Sequence, residues 1–250
     1  MEKWEKALYE FLKRYQNRPY FEGAILCGSY AAGNQNKFSD IDVQIVISDK
    51  QNWRERGNVK VGGFLIEYFI NPIRRIHQEF EKDVATGRQS CASMFGYGKI
   101  IADKKGNVKL LQDEAVQFLK KQMPKYKLTD FSFDCYGAWD LMDELNSLSK
   151  DKKALGLVYY KLLEKLMDMY FRAQRIPKMP LTKMERIMTD SRFAKRYHIQ
   201  KLPDQTFIKL FLVALCDMKV IKIKKLYDFV IKSVGGFDIS DFKLHSKLDS

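Results

Sequence analysis

The chain has 250 residues, 46% of them hydrophobic and 13% aromatic, a globular composition that excludes a disordered or fibrous protein. Lys and Arg exceed Asp and Glu by 13, and the excess runs through both halves, so it suits polyphosphate or nucleic-acid partners without marking a basic tail. Cys27, Cys91, Cys135 and Cys216 make no CxxC pair, which argues against a zinc knuckle or disulfide framework and for reduced thiols.

The opening "MEKWEKALYEFLKRY" is amphipathic and charged, so a first helix is expected over residues 3 to 16 in place of a signal peptide. The later run "LFLVALC" is too short to cross a bilayer, and a cytoplasmic protein is expected. "FEGAILC" predicts a strand ending at Gly28, followed by a short helical turn stopped at Gly33-Asn34, and "DIDVQIVI" predicts a second strand. "QNWRERGNVK" reads as a loop, "GGFLIEYFI" as a third strand, and "PIRRIHQEFEKDVATG" as a helix opened by Pro72. "CASMFGYGKIIAD" reads as a further strand closed by the "DKKGN" turn, with a helix in "VKLLQDEAVQFLKKQ" behind it.

"MPKYKLTD" lacks periodicity, and the expected domain boundary falls there, giving residues 1-127 and 128-250. The remainder reads helical, with Leu155, Val158, Leu162, Leu166 and Met169 at core spacing. The predicted class is α+β: a mixed-sheet domain followed by an all-helical bundle.

Asp40, Asp42 and Gln44 share one face of the second strand while Ile41, Val43 and Ile45 share the other, so one face is expected to be core and the other polar. Two aspartates so close repel, and Asp is a poor strand residue. A bound cation would convert that repulsion into coordination. Glu67 is the single charge inside "FLIEYFI" and needs a positive partner there, either Arg74 or Arg75 or a magnesium ion shared with the aspartates. Gly28-Ser29 ends a strand and opens a turn, where unsatisfied N–H groups and close backbone approach favour a phosphate. The segment is not a Walker loop, because Asn34-Gln35 stands where Lys-Ser/Thr would be needed.

The set of a hydrophobic strand, Gly28-Ser29, ten residues between Ser29 and the first aspartate of "SDIDV", and a later lone Glu67 resembles the DNA polymerase β-like nucleotidyltransferase superfamily. By size and layout it is most similar to small bacterial antibiotic nucleotidyltransferases of the kanamycin and lincosamide type. The resemblance implies that Gly28 and Ser29, with Ser39, contact the nucleotide, and that Asp40, Asp42 and Glu67 hold two Mg²⁺ ions. It implies transfer of a nucleoside monophosphate, AMP from ATP in the first instance, to a hydroxyl of a small molecule such as an aminoglycoside or lincosamide. Glu67 is the first candidate base; the helical-domain acids Asp140, Asp143 and Glu144 are the alternative base, although that cluster reads more simply as a solvated helix face. The resemblance also accommodates a homodimer.

Two other readings stay open: transfer to RNA or a partner protein, and a nucleotide-binding module without catalysis. Tyr97 and Lys99 are further candidates for the pocket wall, from sheet position. His77, His198 and His245 are isolated and carry no predicted role. The basic stretches "KKQMPKYK" and "KVIKIKK" read as solvated faces.

Overall fold

The computed structural model describes residues 1–148, 152–179, 181–196, 198–199, 202–240 and 242–243. The chain forms two compact units, Met1–Gln122 and Met123–Ser250. Among the described residues no helix is long and apolar enough to cross a membrane.

The first unit is built on a five-stranded mixed sheet in the order β3-β4-β2-β1-β5. Its strands are β1 (Phe21–Leu26), β2 (Ile41–Ile47), β3 (Glu55–Val61), β4 (Phe64–Pro72) and β5 (Lys99–Asp103). β2 and β4 pair in parallel and the other neighbours are antiparallel. On one face, Leu8, Phe11 and Leu12 of α1 (Lys3–Gln16) pack against Leu26, Val43, Ile45 and Ile66. Each such side chain removed from water contributes about 1.5–3 kcal/mol, which fixes α1 across the sheet. On the other face, Ile25, Cys27 and Val46 lie under Ile76 and Phe80 of α3 (Ile73–Ala85), Phe95 of α4 (Ser90–Gly96) and Leu111 of α5 (Asn107–Lys120).

Three expectations are corrected here. The stretch read as a loop holds β3, an edge strand whose alternation of exposed and half-buried residues hides its period behind charged side chains. Its turn into β4 is Gly62-Gly63, both at positive φ, a backbone that the twist of a two-residue hairpin demands and that glycine adopts without strain. The first part of "CASMFGYGKIIAD" is helix α4, and the strand begins only at Lys99. Helix α4 is fixed from a distance: the buried Asp83 carboxylate on α3 accepts the Cys91 N–H at 2.6 Å and the Ala92 N–H at 3.0 Å. Burial raises the pKa of that carboxyl, while these backbone donors oppose the rise. Finally, the face of β2 expected to be polar is itself core beyond Asp42, with Gln44 only 5% exposed and Val46 fully buried under the helices.

The second unit is helical: α6 (Leu128–Ser147), α7 (Lys152–Ala173), α8 (Leu181–Thr189), α9 (Ser191–Arg196), α10 (Gln205–Cys216) and α11 (Val220–Ser233). Leu162, Leu166, Phe207, Phe211 and Leu226 are at its centre, and the Tyr159 hydroxyl donates to the Ala214 carbonyl at 2.7 Å. Asp204 caps α10 by accepting the Phe207 N–H at 2.9 Å. α8 and α9 are short, separated by Asp190 alone, and the helical pattern of the sequence does not distinguish them.

Candidate functional site

Asp40 precedes β2 and Asp42 stands inside it, one pleat apart and on the same face. The parallel register sets Asp42 beside Glu67 of β4. Carboxylate oxygens of Asp40, Asp42 and Glu67 all lie within 4.8 Å of one another, and all three residues are half-buried. Three like charges at this spacing repel strongly where water is partly excluded, whereas a hard divalent cation takes such oxygens as ligands. The donor set fits magnesium.

Gly28 borders the triad from β1. Its φ is +62°, and a Cβ built there would collide with the Asp42 carboxylate. The glycine is therefore demanded twice, by its left-handed backbone and by the acid beside it. The Cys27 N–H donates to the Asp42 carbonyl at 2.8 Å, which binds the start of the turn to β2. Ser29 follows in the short α2 (Gly28–Ala31). Ser39 Oγ accepts the Asn36 N–H at 2.9 Å and so shapes the loop that delivers Asp40. Tyr30 stands near Asp40, and burial, reinforced by that negative charge, raises its phenol pKa.

The expectation that Arg74 or Arg75 neutralises Glu67 is corrected. Arg56 does so, donating from Nη2 at 2.6 Å and from Nε at 3.2 Å to Glu67 Oε1. Its guanidinium also lies 4.7 Å from the centre of the Phe69 ring. Arg74 instead donates to Asp49 and the Gln51 carbonyl, and Arg75 pairs with Glu79. Arg56 was missed because it lies in the segment read as a loop; the Gly62-Gly63 pair was the available signal for a hairpin that brings β3 alongside Glu67.

The same sheet face continues past the triad into a cleft of about 500 Å³, lined by Gln44, Phe69 and Asn71 of the sheet, Arg54 and Arg56 of the β3 edge, and residues of α3 and α4. Lys99 pairs with Leu26 and therefore lies on the α1 face, opposite the carboxylates, while Tyr97 packs with the core beneath α4. His77 pairs with Glu114 at 2.7 Å, and His245 is outside the described residues. Asp140, Asp143 and Glu144 lie on α6 in the second unit.

Fold and site define an α+β unit that gathers three carboxylates beside a glycine-serine turn. Within that class, residues 6–87, about a third of the chain, match the model of the nucleotidyltransferase domain, so the first unit carries such a domain. The matched span takes in Gly28, Ser29, Asp40, Asp42 and Glu67. The chain is also similar to a solved structure, a nucleotidyltransferase-like protein from Exiguobacterium sibiricum 255-15, at 12% identity and a TM-score of 0.43, over 93% of this chain and 77% of that one. No curated protein matches the sequence.

Proposed function

We propose that the protein is a metal-dependent nucleotidyltransferase that moves a nucleoside monophosphate, AMP from ATP as the first donor to test, to a hydroxyl of a small molecule. The observation that carries this reading is the convergence of Asp40, Asp42 and Glu67 within 4.8 Å. Those three carboxylates would hold magnesium, whose charge would offset that of the donor's phosphates. Gly28 lets the backbone approach a phosphate closely, and Ser29 offers a hydroxyl beside it. Glu67 lies across β2 from Gly28, with Asp42 between, so it faces the side from which an acceptor hydroxyl attacks in line and takes its proton there. Aminoglycosides and lincosamides are the reference acceptors for a first screen.

Thermal melting with ATP, GTP, CTP and UTP, each with and without Mg²⁺, tests the reading on wild type and Asp40→Asn. A ligand that binds the folded state raises the midpoint by linkage. The expected result is a Mg²⁺-dependent rise for one nucleotide that disappears in the variant. No rise with any nucleotide would remove the transferase reading and favour a protein without catalysis.

A further inference from the structure

The cleft beyond Glu67 has a chemistry that the triad alone does not require. Gln44, 5% exposed, presents its amide there with weak partners, a thioether sulfur of Met94 at 3.2 Å and the Asn71 amide at 3.5 Å. A buried amide held this loosely has hydrogen-bonding capacity left for a ligand. Arg54, Arg56, Lys82 and Arg88 all line the cleft. Its acids are largely engaged. Asp83 accepts two backbone N–H groups of α4, Glu79 pairs with Arg75 and Arg54, and Glu55 accepts the Tyr68 hydroxyl at 2.6 Å. Lys82 and Arg88 have no acidic partner among the described residues. Occupation of the triad by a cation would also compete with Arg56 for Glu67 and free a guanidinium on the cleft's edge.

The geometry points to this cleft as the acceptor subsite, built for a hydroxyl compound that carries an anionic group, phosphate or carboxylate. The hydroxyl lies at Glu67, the Gln44 and Asn71 amides bond the polar middle of the molecule, and Lys82 and Arg88 bind its anionic end. A polycationic aminoglycoside is disfavoured here, because it would bring like charge to the free lysine and arginine. The inference rests on the transferase reading for the chemistry at Glu67, but the anion preference belongs to the cleft.

Calorimetry separates the two. Wild type and the Lys82→Gln/Arg88→Gln double variant are titrated, with Mg²⁺ and a non-hydrolysable ATP analogue present, against ribose 5-phosphate, gluconate, ribose and kanamycin. Ribose 5-phosphate or gluconate is expected to bind at least about 10-fold more tightly than ribose or kanamycin, and the double variant is expected to lose about 10-fold for the anionic probe while keeping its affinity for the analogue. Comparing the two anions identifies the preferred group. Ribose or kanamycin binding as tightly as the anions, an unchanged double variant, or no anion binding while the analogue binds would each overturn the inference. Failure of wild type to bind the analogue at all would overturn the transferase reading instead, and the anion titrations repeated without nucleotide would still judge the cleft.

Discussion

Two carboxylate centres, one in each unit, show how differently a fold can treat negative charge. In the helical unit three donors converge on one acid: Asp134 accepts from Lys165 at 2.8 Å, from Arg172 at 2.7 Å and from the Tyr126 hydroxyl at 2.5 Å. Arg172 also lies over the Tyr126 ring at 3.9 Å. Burial pushes Asp134 up, but the Lys165 and Tyr126 hydrogen bonds, with the charges of Lys165 and Arg172, hold it below the usual carboxylate range. In the sheet unit three acids converge on one another. The first arrangement is satisfied by its own donors; in the second, Arg56 donates to Glu67, and the three acids remain clustered in the geometry that the proposed function assigns to a metal.

Substitution sharpens that contrast. Asp42→Asn is expected to lower transfer on the order of 10³-fold, the scale reached when a group that stabilises transition-state charge is removed, with a thermal midpoint at or above wild type because repulsion is relieved. Pyrophosphate release and melting on the same preparation check both halves, and a large fall in the midpoint would make Asp42 a structural residue. Gly28→Ala forces a left-handed backbone on a residue with a Cβ and drives that Cβ into Asp42. A loss of about 1–3 kcal/mol, together with reduced transfer, is expected in denaturant melts and turnover assays.

Asp134→Asn should reverse the Asp42 pattern, costing about 1–2 kcal/mol because Lys165 and Arg172 lose their acceptor near a partly screened surface, while transfer is unchanged. The pH dependence follows from the lowered pKa. Stability from Asp134 is fully present above the unfolded value of about 4 and is lost as the pH falls through the folded value. The acid limb of the wild-type melting profile should therefore be shallower in Asp134→Asn. The smallest effect is expected for Arg56→Gln. With the guanidinium exposed, the pair contributes about 0–1 kcal/mol, and release of the half-buried Glu67 should tighten Mg²⁺ binding a few-fold, measurable by calorimetry without nucleotide.

The residues of the candidate site stand out in the sequence, since the Gly-Ser turn, Asp40, Asp42 and Glu67 each break a local rule for which a buried strand would otherwise select, and the fold brings the three acids together. Asp in a strand and Glu in an apolar run are visible because sequence neighbours set the expectation they violate. What escaped depended on distant partners. Helix α4 is fixed by Asp83 from the preceding helix, so "CASMFG" alone could not declare itself. Gln44 and Val46 are buried by α3 and α4, packing that strand alternation does not encode. The segment containing Arg56 failed for another reason: its charged residues obscure an edge strand, although Gly62-Gly63 announced the turn.

Strand β3 also lies at one margin of the sheet. A free margin offers unpaired backbone groups to any neighbouring chain, and charged side chains are the usual protection against such pairing. Glu55, Arg56 and Lys60 supply that protection here, and Arg56 also contacts Glu67. Because Arg56 also lines the cleft inferred above to take the acceptor, that inference ties selectivity to the strand that protects the sheet edge. Variants that neutralise Arg54 or Arg56 to admit cationic acceptors would expose a smoother edge, so concentration-dependent aggregation is the trait to monitor as selectivity is changed.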